Sequence, residues 1–408
     1  MKNMRTRAIV AAAVMMACTA VLTAQDWPQW RGPARDGVAA FDVPASWPDA
    51  LQRHWSIDVG LGYASPVVVG DRIYMFTRQG GDEVLTALDA SSGEQLWRTA
   101  YPAPFTMNPA TAPHREGPKA TPTYADGRLF AHGITGILTA YAADSGRQLW
   151  QVPGRDVEPL YHTSQSPLVD GDLVILHVGG HDDGELAAFD VADGSVRWSW
   201  DGDGPAYGSP MIFELGGTRQ VVVFAQEHFV GVSLETGALL WSRPFTTRST
   251  TTSQTPLVHG DMVIQSGRGN GVTAFRVTEG AGGWTTEDVW RTDEVSLHMA
   301  NPVAHDGVLY GLSHLNSGQY FGLDLDTGAV LWTSDPRQAD HASIQRAGGT
   351  IFSLEDDAEL VVLGNSRSMF NPIRRYEVAD SETWTQPTFS GDRIYVKDIS
   401  TLTLWTVE

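Results

Sequence analysis

Residues 86–97 read TALDASSGEQLW, and residues 139–150 read TAYAADSGRQLW: one phrase written twice. Its general form is a short apolar strand, a turn of the type aliphatic-Asp-x-x-Thr/Ser/Asp-Gly, and a Trp four residues after the Gly. Further copies close on Trp198, Trp241, Trp290, Trp332 and Trp384, so that with Trp97 and Trp150 the spacing runs from 42 to 53 residues. Each unit opens on a small polar residue and a proline, at Pro66, Pro122, Pro167, Pro210, Pro256, Pro302 and Pro387, with Ile344 holding the place in the seventh unit. A Gly/Asp turn pair follows each opening, from Gly70-Asp71 to Gly391-Asp392. There are eight openings and seven closing tryptophans.

The missing closure stands at the front of the chain. Arg53-His54-Trp55-Ser56 matches a closing strand and lies 42 residues before Trp97, while the last unit ends without an outer strand. Strands from both chain ends therefore complete one sheet, as a closed ring requires. Residues 51–408 divide into eight units of about 45 residues, the length of a four-stranded propeller blade. The expected fold is all-β, an eight-bladed β-propeller closed by the strand around Trp55. The phrase has a physical reason throughout. Gly and Asp adopt positive φ at little cost and match hairpin twist. A Trp covers roughly 150–250 Å² between neighbouring blades. Building the ring accounts for all of these residues, and none needs a catalytic role.

Composition limits what such a ring can do. The formal charge is −20, the wrong sign for holding nucleic-acid phosphates. Lys2, Arg5 and Arg7 followed by the apolar run 8–22 form a signal peptide over residues 1–24, too short to span a membrane comfortably. Export to the periplasm or cell envelope is expected, with no transmembrane span in the mature chain, which is taken to be a monomer. The lone Cys18 lies inside that segment, so the mature chain has no disulfide; lipid attachment through Cys18 is the alternative reading, and the apolar run continues past it. Residues 25–50, beginning QDWPQWRGPARDGV, have no strand or helix period and read as an extended leader on the domain. Trp27 and Trp30 would pin it to the body, and with Arg31 they could instead form a stacking site.

The repeated phrase resembles the tryptophan-docking repeat of the pyrroloquinoline quinone (PQQ) enzyme-repeat family. The resemblance covers nearly all of the mature chain. It implies one of two branches: quinoprotein dehydrogenases, which hold PQQ and Ca²⁺ in a central funnel, or non-catalytic envelope propellers typified by BamB. The mature chain has no adjacent cysteine pair, no C-x-x-C-H heme motif, and no position that matches the enzymes' calcium ligands or catalytic Asp. The resemblance therefore implies a BamB-like binding or scaffolding protein with an envelope protein or peptide partner and no cofactor. A PQQ-dependent alcohol or sugar dehydrogenase is the alternative.

Residues just before each opening sit near one mouth of the channel, where propellers usually bind ligands. That set holds Arg115, Glu116 and Lys119, then His162, Tyr207, Arg248, His298, Asn301 and His341. Cations and imidazoles converging there would favour an anion, a carboxylate or a metal; the alternative is a hydrated rim whose polar groups brace each other. A hydrolase or lyase using this His/Arg mouth is a further alternative. The acidic stretches 181–190 and 201–204 match no full calcium loop and read as solvated turns. No G-x-S-x-G, H-E-x-x-H or phosphate-loop motif occurs.

Overall fold

In the computed structural model, which describes residues 26–407, eight four-stranded antiparallel sheets form a ring. The expected signal peptide, with Cys18, lies outside the described residues. Blade 1 runs Val67–Val69, Arg72–Gln79, Asp82–Asp89 and Gln95–Pro102 from the inside outward. Blades 2 to 7 follow in sequence over 123–152, 168–200, 211–244, 257–292, 303–333 and 342–377. Blade 8 takes three strands from 388–406 and its outermost from Gln52–Asp58. That last strand pairs with Thr401–Thr406 in the register Trp55↔Leu404 and Arg53↔Trp405. The ring is thus closed by the N-terminal strand, as the repeat count requires.

The inner hairpins turn on two residues. Asp126-Gly127 and Asp306-Gly307 carry positive φ at both positions (46° and 75°, 47° and 73°), the geometry that follows strand twist. At the start of several inner strands, the residue before the proline ties neighbouring blades together. The amide of Ser65 donates to Thr121 Oγ1 (3.0 Å), that of Thr121 to Ser166 Oγ (2.9 Å), and that of Ser166 to Ser209 Oγ (3.0 Å). Thr255 N donates to Asn301 Oδ1 at 2.6 Å in the same manner. A residue before proline is held extended, so its amide and hydroxyl point around the ring rather than into a helix.

The outer seam is made by tryptophan and glycine. A Cβ placed on Gly93, Gly146, Gly194, Gly237 or Gly328 would lie 2.4–3.1 Å from the ring of Trp55, Trp97, Trp150, Trp198 or Trp290 of the preceding blade. These glycines also carry φ of 69–75°. Glycine is therefore demanded twice, by the backbone and by the ring that docks on it. The indole N–H groups of Trp97, Trp150, Trp198 and Trp290 donate to carbonyls of the next blade at 2.9–3.2 Å. Trp332 does the same toward Ser366 (2.8 Å), and Trp241 bonds within its own blade to Gln220 Oε1 (2.6 Å).

Trp384 departs from the expectation. Blade 7 closes on Pro372–Glu377, and Arg374 occupies the register position opposite Val362 that Trp97 occupies opposite Ala87. Trp384 falls in the loop beyond it. At that junction Trp405, from the third strand of blade 8, donates to Val378 O (3.0 Å).

The leader departs further: it enters the channel rather than lying on the outside. Trp27 pairs with Val68 of blade 1, and Tyr124 N of blade 2 donates to Pro28 O (2.7 Å). Arg35 donates to Ser166 O and Pro167 O at blade 3, and Trp30 Nε1 to Thr255 Oγ1 at blade 5 (2.9 Å). Arg31 reaches Pro302 O at blade 6 (2.7 Å), Val38 pairs with Arg346 of blade 7, and Phe41 with Gly391 of blade 8. A segment touching inner strands all round the ring must cross its axis. It is also not extended, since Arg31, Gly32, Arg35 and Gly37 all have positive φ. Burial lowers the pKa of Arg31 to about 10 and that of Arg35 to about 9. Their guanidinium bonds go mainly to backbone carbonyls, including those of inner strands that an unfilled channel would leave to water.

One buried group makes stability depend on pH. His177, in the second strand of blade 3, is 2% exposed and neither ring nitrogen meets a protein partner. Desolvation lowers its pKa to about 3. The unfolded chain, with an ordinary value near 6.5, binds the proton first, so stability is intact above pH 6.5 and is lost as pH falls toward 3. His177→Leu should therefore remove about 2 kcal/mol of the loss between pH 7.5 and pH 5. Urea midpoints at the two pH values check this; an unchanged difference would show that His177 is already charged or solvated in the fold.

Candidate functional site

The entry loops of all eight blades converge on one axial cavity of about 370 Å³. Five of the nine mouth residues singled out from the sequence line it: Lys119, Tyr207, His298, Asn301 and His341. Arg115, His162 and Arg248 do not. Arg115 is exposed at the end of the short 3-10 helix Pro109–His114, with φ 59° turning it away. His162, also at positive φ (64°), is buried against Phe105, with Nδ1 2.5 Å from Glu158. Arg248 is exposed in its own 3-10 turn. Glu116 is outside the lining too and pairs with Arg78 at 3.0 Å.

The structure adds residues that the spacing did not mark. Trp384, freed from the blade seam, forms the centre of an aromatic group. Its ring stacks on His341 (5.1 Å, 9°) and on Tyr63 (6.1 Å, 26°), and His114 meets it edge-on at 4.6 Å. Trp30 and Arg31 of the leader line the same cavity, and Arg31 also borders a second cavity of about 320 Å³ alongside Ala34, Arg35 and Asp36. The leader is therefore the partition between them. The local sequence did not mark Trp384 out: the run VADSET before it lacks the Asp-x-x-Thr-Gly turn, but so does WTTEDV before Trp290, which docks.

Hydrogen bonds hold the lining in place. Lys119 Nζ donates to Tyr161 O (2.7 Å), and Tyr161 N donates to Tyr207 Oη (2.9 Å). Gln254 Nε2 donates to His298 O (2.6 Å), and His341 N to Asp356 Oδ1 (3.0 Å). Burial sets the protonation states. Desolvation lowers Lys119 to about 8. It also lowers His298 to about 4, with Arg268 and His314 adding to the effect, and His341 to about 4, with His298 and His114 adding. Both imidazoles are neutral at neutral pH, and His341 Nδ1 is buried without a protein partner.

The lining contains Arg31, Lys119 and Arg268 but no Asp or Glu. Among the described residues no group of three or more His, Cys, Asp or Glu is placed to hold a metal. A hard cation such as Ca²⁺ takes six to eight oxygens with carboxylates among them, so this donor set does not suit the calcium–quinone pair of the dehydrogenase branch. It suits an anion.

A family profile described as "Outer membrane protein assembly factor BamB" matches residues 35–209 and 165–334. The chain belongs to that family. Outer membrane protein assembly factor BamB of Shewanella oneidensis is 24% identical over 371 residues, covering 84% of this chain and 85% of that protein. The crystal structure of BamB from Moraxella catarrhalis superposes with a TM-score of 0.65 at 16% identity, covering 88% of this chain and all of the other. Quinohemoprotein alcohol dehydrogenase from Comamonas testosteroni shares the fold equally well, with a TM-score of 0.67 at 13% identity over 94% of this chain and 80% of that one. The ring is common to catalytic and assembly-factor propellers, and fold likeness at these identities does not separate them.

Proposed function

We propose that this chain is exported and acts in the cell envelope as a non-catalytic binding or scaffolding protein for outer-membrane protein assembly, with an envelope protein or peptide as partner. The observation that carries this reading is the match to a BamB relative along 84% of the chain. The cavity chemistry is in keeping with it, because a lining without carboxylates offers no calcium site for quinone catalysis. Among the described residues no helix is long and apolar enough to cross a membrane, so association with the envelope would run through partners or a lipid on Cys18.

The test is capture from periplasm and solubilised envelope with the tagged mature protein, followed by mass spectrometry. Recovery of the β-barrel assembly machinery is the expected result; its absence after in-cell crosslinking would overturn the reading. In parallel, added PQQ and Ca²⁺ should give no dye-linked oxidation of alcohols or sugars. Stoichiometric PQQ binding with turnover would move the protein to the dehydrogenase branch.

A further inference from the structure

We infer that the axial cavity is a binding site for a small carboxylate carrying a flat apolar group, a role separate from partner docking. Three observations converge. First, the cavity has the size of a small-molecule site, about 370 Å³, and the leader closes its far end with Trp30 and Arg31. A dead-end cup holds a molecule, whereas an open channel passes it.

Second, the charge of the lining opposes that of the chain. On a protein of formal charge −20, the cup carries Arg31, Lys119 and Arg268 and no acid. Two carboxylates lie just outside the lining: Asp356 accepts the amide of His341, and the exposed Glu382 accepts from Trp384 Nε1 at 3.2 Å. Lys119 uses one donor on Tyr161 O, which leaves two N–H groups of an ammonium for a ligand. Arg268 is exposed, free to fold onto an anion. Either can give a charge-assisted hydrogen bond to an anion in the cup.

Third, the walls beside these cations are aromatic and incompletely satisfied. Trp384 stacks on His341 and Tyr63 and makes a T-shaped contact with His114, and all four line the cavity. His341 Nδ1 and Gln254 Oε1 are both buried with no protein partner. His341 itself lines the cavity and carries its ring against Trp384. Trp384 takes no part in the blade seam and packs instead against the entry-loop residues Tyr63, His114 and His341.

Phenylacetate is the probe, with phenylacetamide as its neutral isostere and acetate as the bare anion. Calorimetry on the mature protein should show one saturable phenylacetate site per chain, with the amide and acetate each at least tenfold weaker. Affinity should fall as salt rises and as pH passes 8, where Lys119 loses its proton. Arg268→Gln, at an exposed position, and Trp384→Leu should each weaken phenylacetate at least tenfold while the melting temperature stays within a few degrees. No saturable heat at millimolar phenylacetate, equal binding of the amide, or an unchanged affinity in Arg268→Gln would each overturn the site. None of these outcomes depends on which envelope proteins the chain captures, so this inference and the assembly role stand or fall separately.

Discussion

A chain lacking residues 25–58 should fail to unfold cooperatively and should aggregate at concentrations where the mature protein stays monomeric. The deletion removes the outermost strand of blade 8, Gln52–Asp58, and exposes the edge of Thr401–Thr406 along its length. An unpaired edge of six residues is a template for intermolecular pairing. It also removes Trp55, whose ring covers Gly93 of blade 1, so the seam between the last and first blades loses both its sheet and its dock. A ring differs from an open stack in this respect: breaking one junction releases the constraint on every other. Size-exclusion chromatography and urea unfolding check the result. A truncated chain with the same midpoint and slope as the mature protein would mean that the ring closes without its N-terminal strand.

The shorter deletion of residues 25–46, which keeps the closing strand, should be nearly as damaging. From the sequence this leader read as an extended segment lying on the domain, pinned to it by Trp27 and Trp30. In the structure Trp27 is 1% exposed, and Phe41 packs edge-on against Phe352 (5.5 Å) and Phe389 (5.3 Å) inside blades 7 and 8. Truncating one buried aromatic costs about 3–5 kcal/mol, and this deletion takes two along with the arginines that satisfy inner-strand carbonyls. Phe41→Ala alone should lower stability by about 3 kcal/mol or more. Trp384→Leu, by contrast, should cost little, because that ring faces the cavity. Comparing the two variants by denaturant midpoint separates a core aromatic from a cavity wall; equal losses would place Trp384 back among the structural tryptophans.

The repeat determined the number of blades, their order, the closing strand and the docking tryptophans other than the one it misplaced at Trp384. It could do so because each blade meets the same local demands: a two-residue turn at positive φ, a strand period of two, and a glycine that makes room for the neighbour's indole. Those demands are short in range, so they are written next to one another in the chain. The cavity and the leader were decided by tertiary structure, because their partners are far apart in sequence. Arg31 finds its acceptor 271 residues away at Pro302, and Arg35 finds its own 132 residues away at Pro167. No periodicity encodes such a docking. The mouth residues show the same limit at close range. Lys119 and His162 both precede an opening proline, yet one lines the cavity and the other turns into a side pocket with Glu158 and Phe105. The φ of 64° at His162 sends that side chain away, and loop dihedrals follow from packing that the local sequence does not specify. Trp384 lies between the two cases. The spacing made it look like a seventh dock, and only the register of Arg374 against Val362 decided the matter.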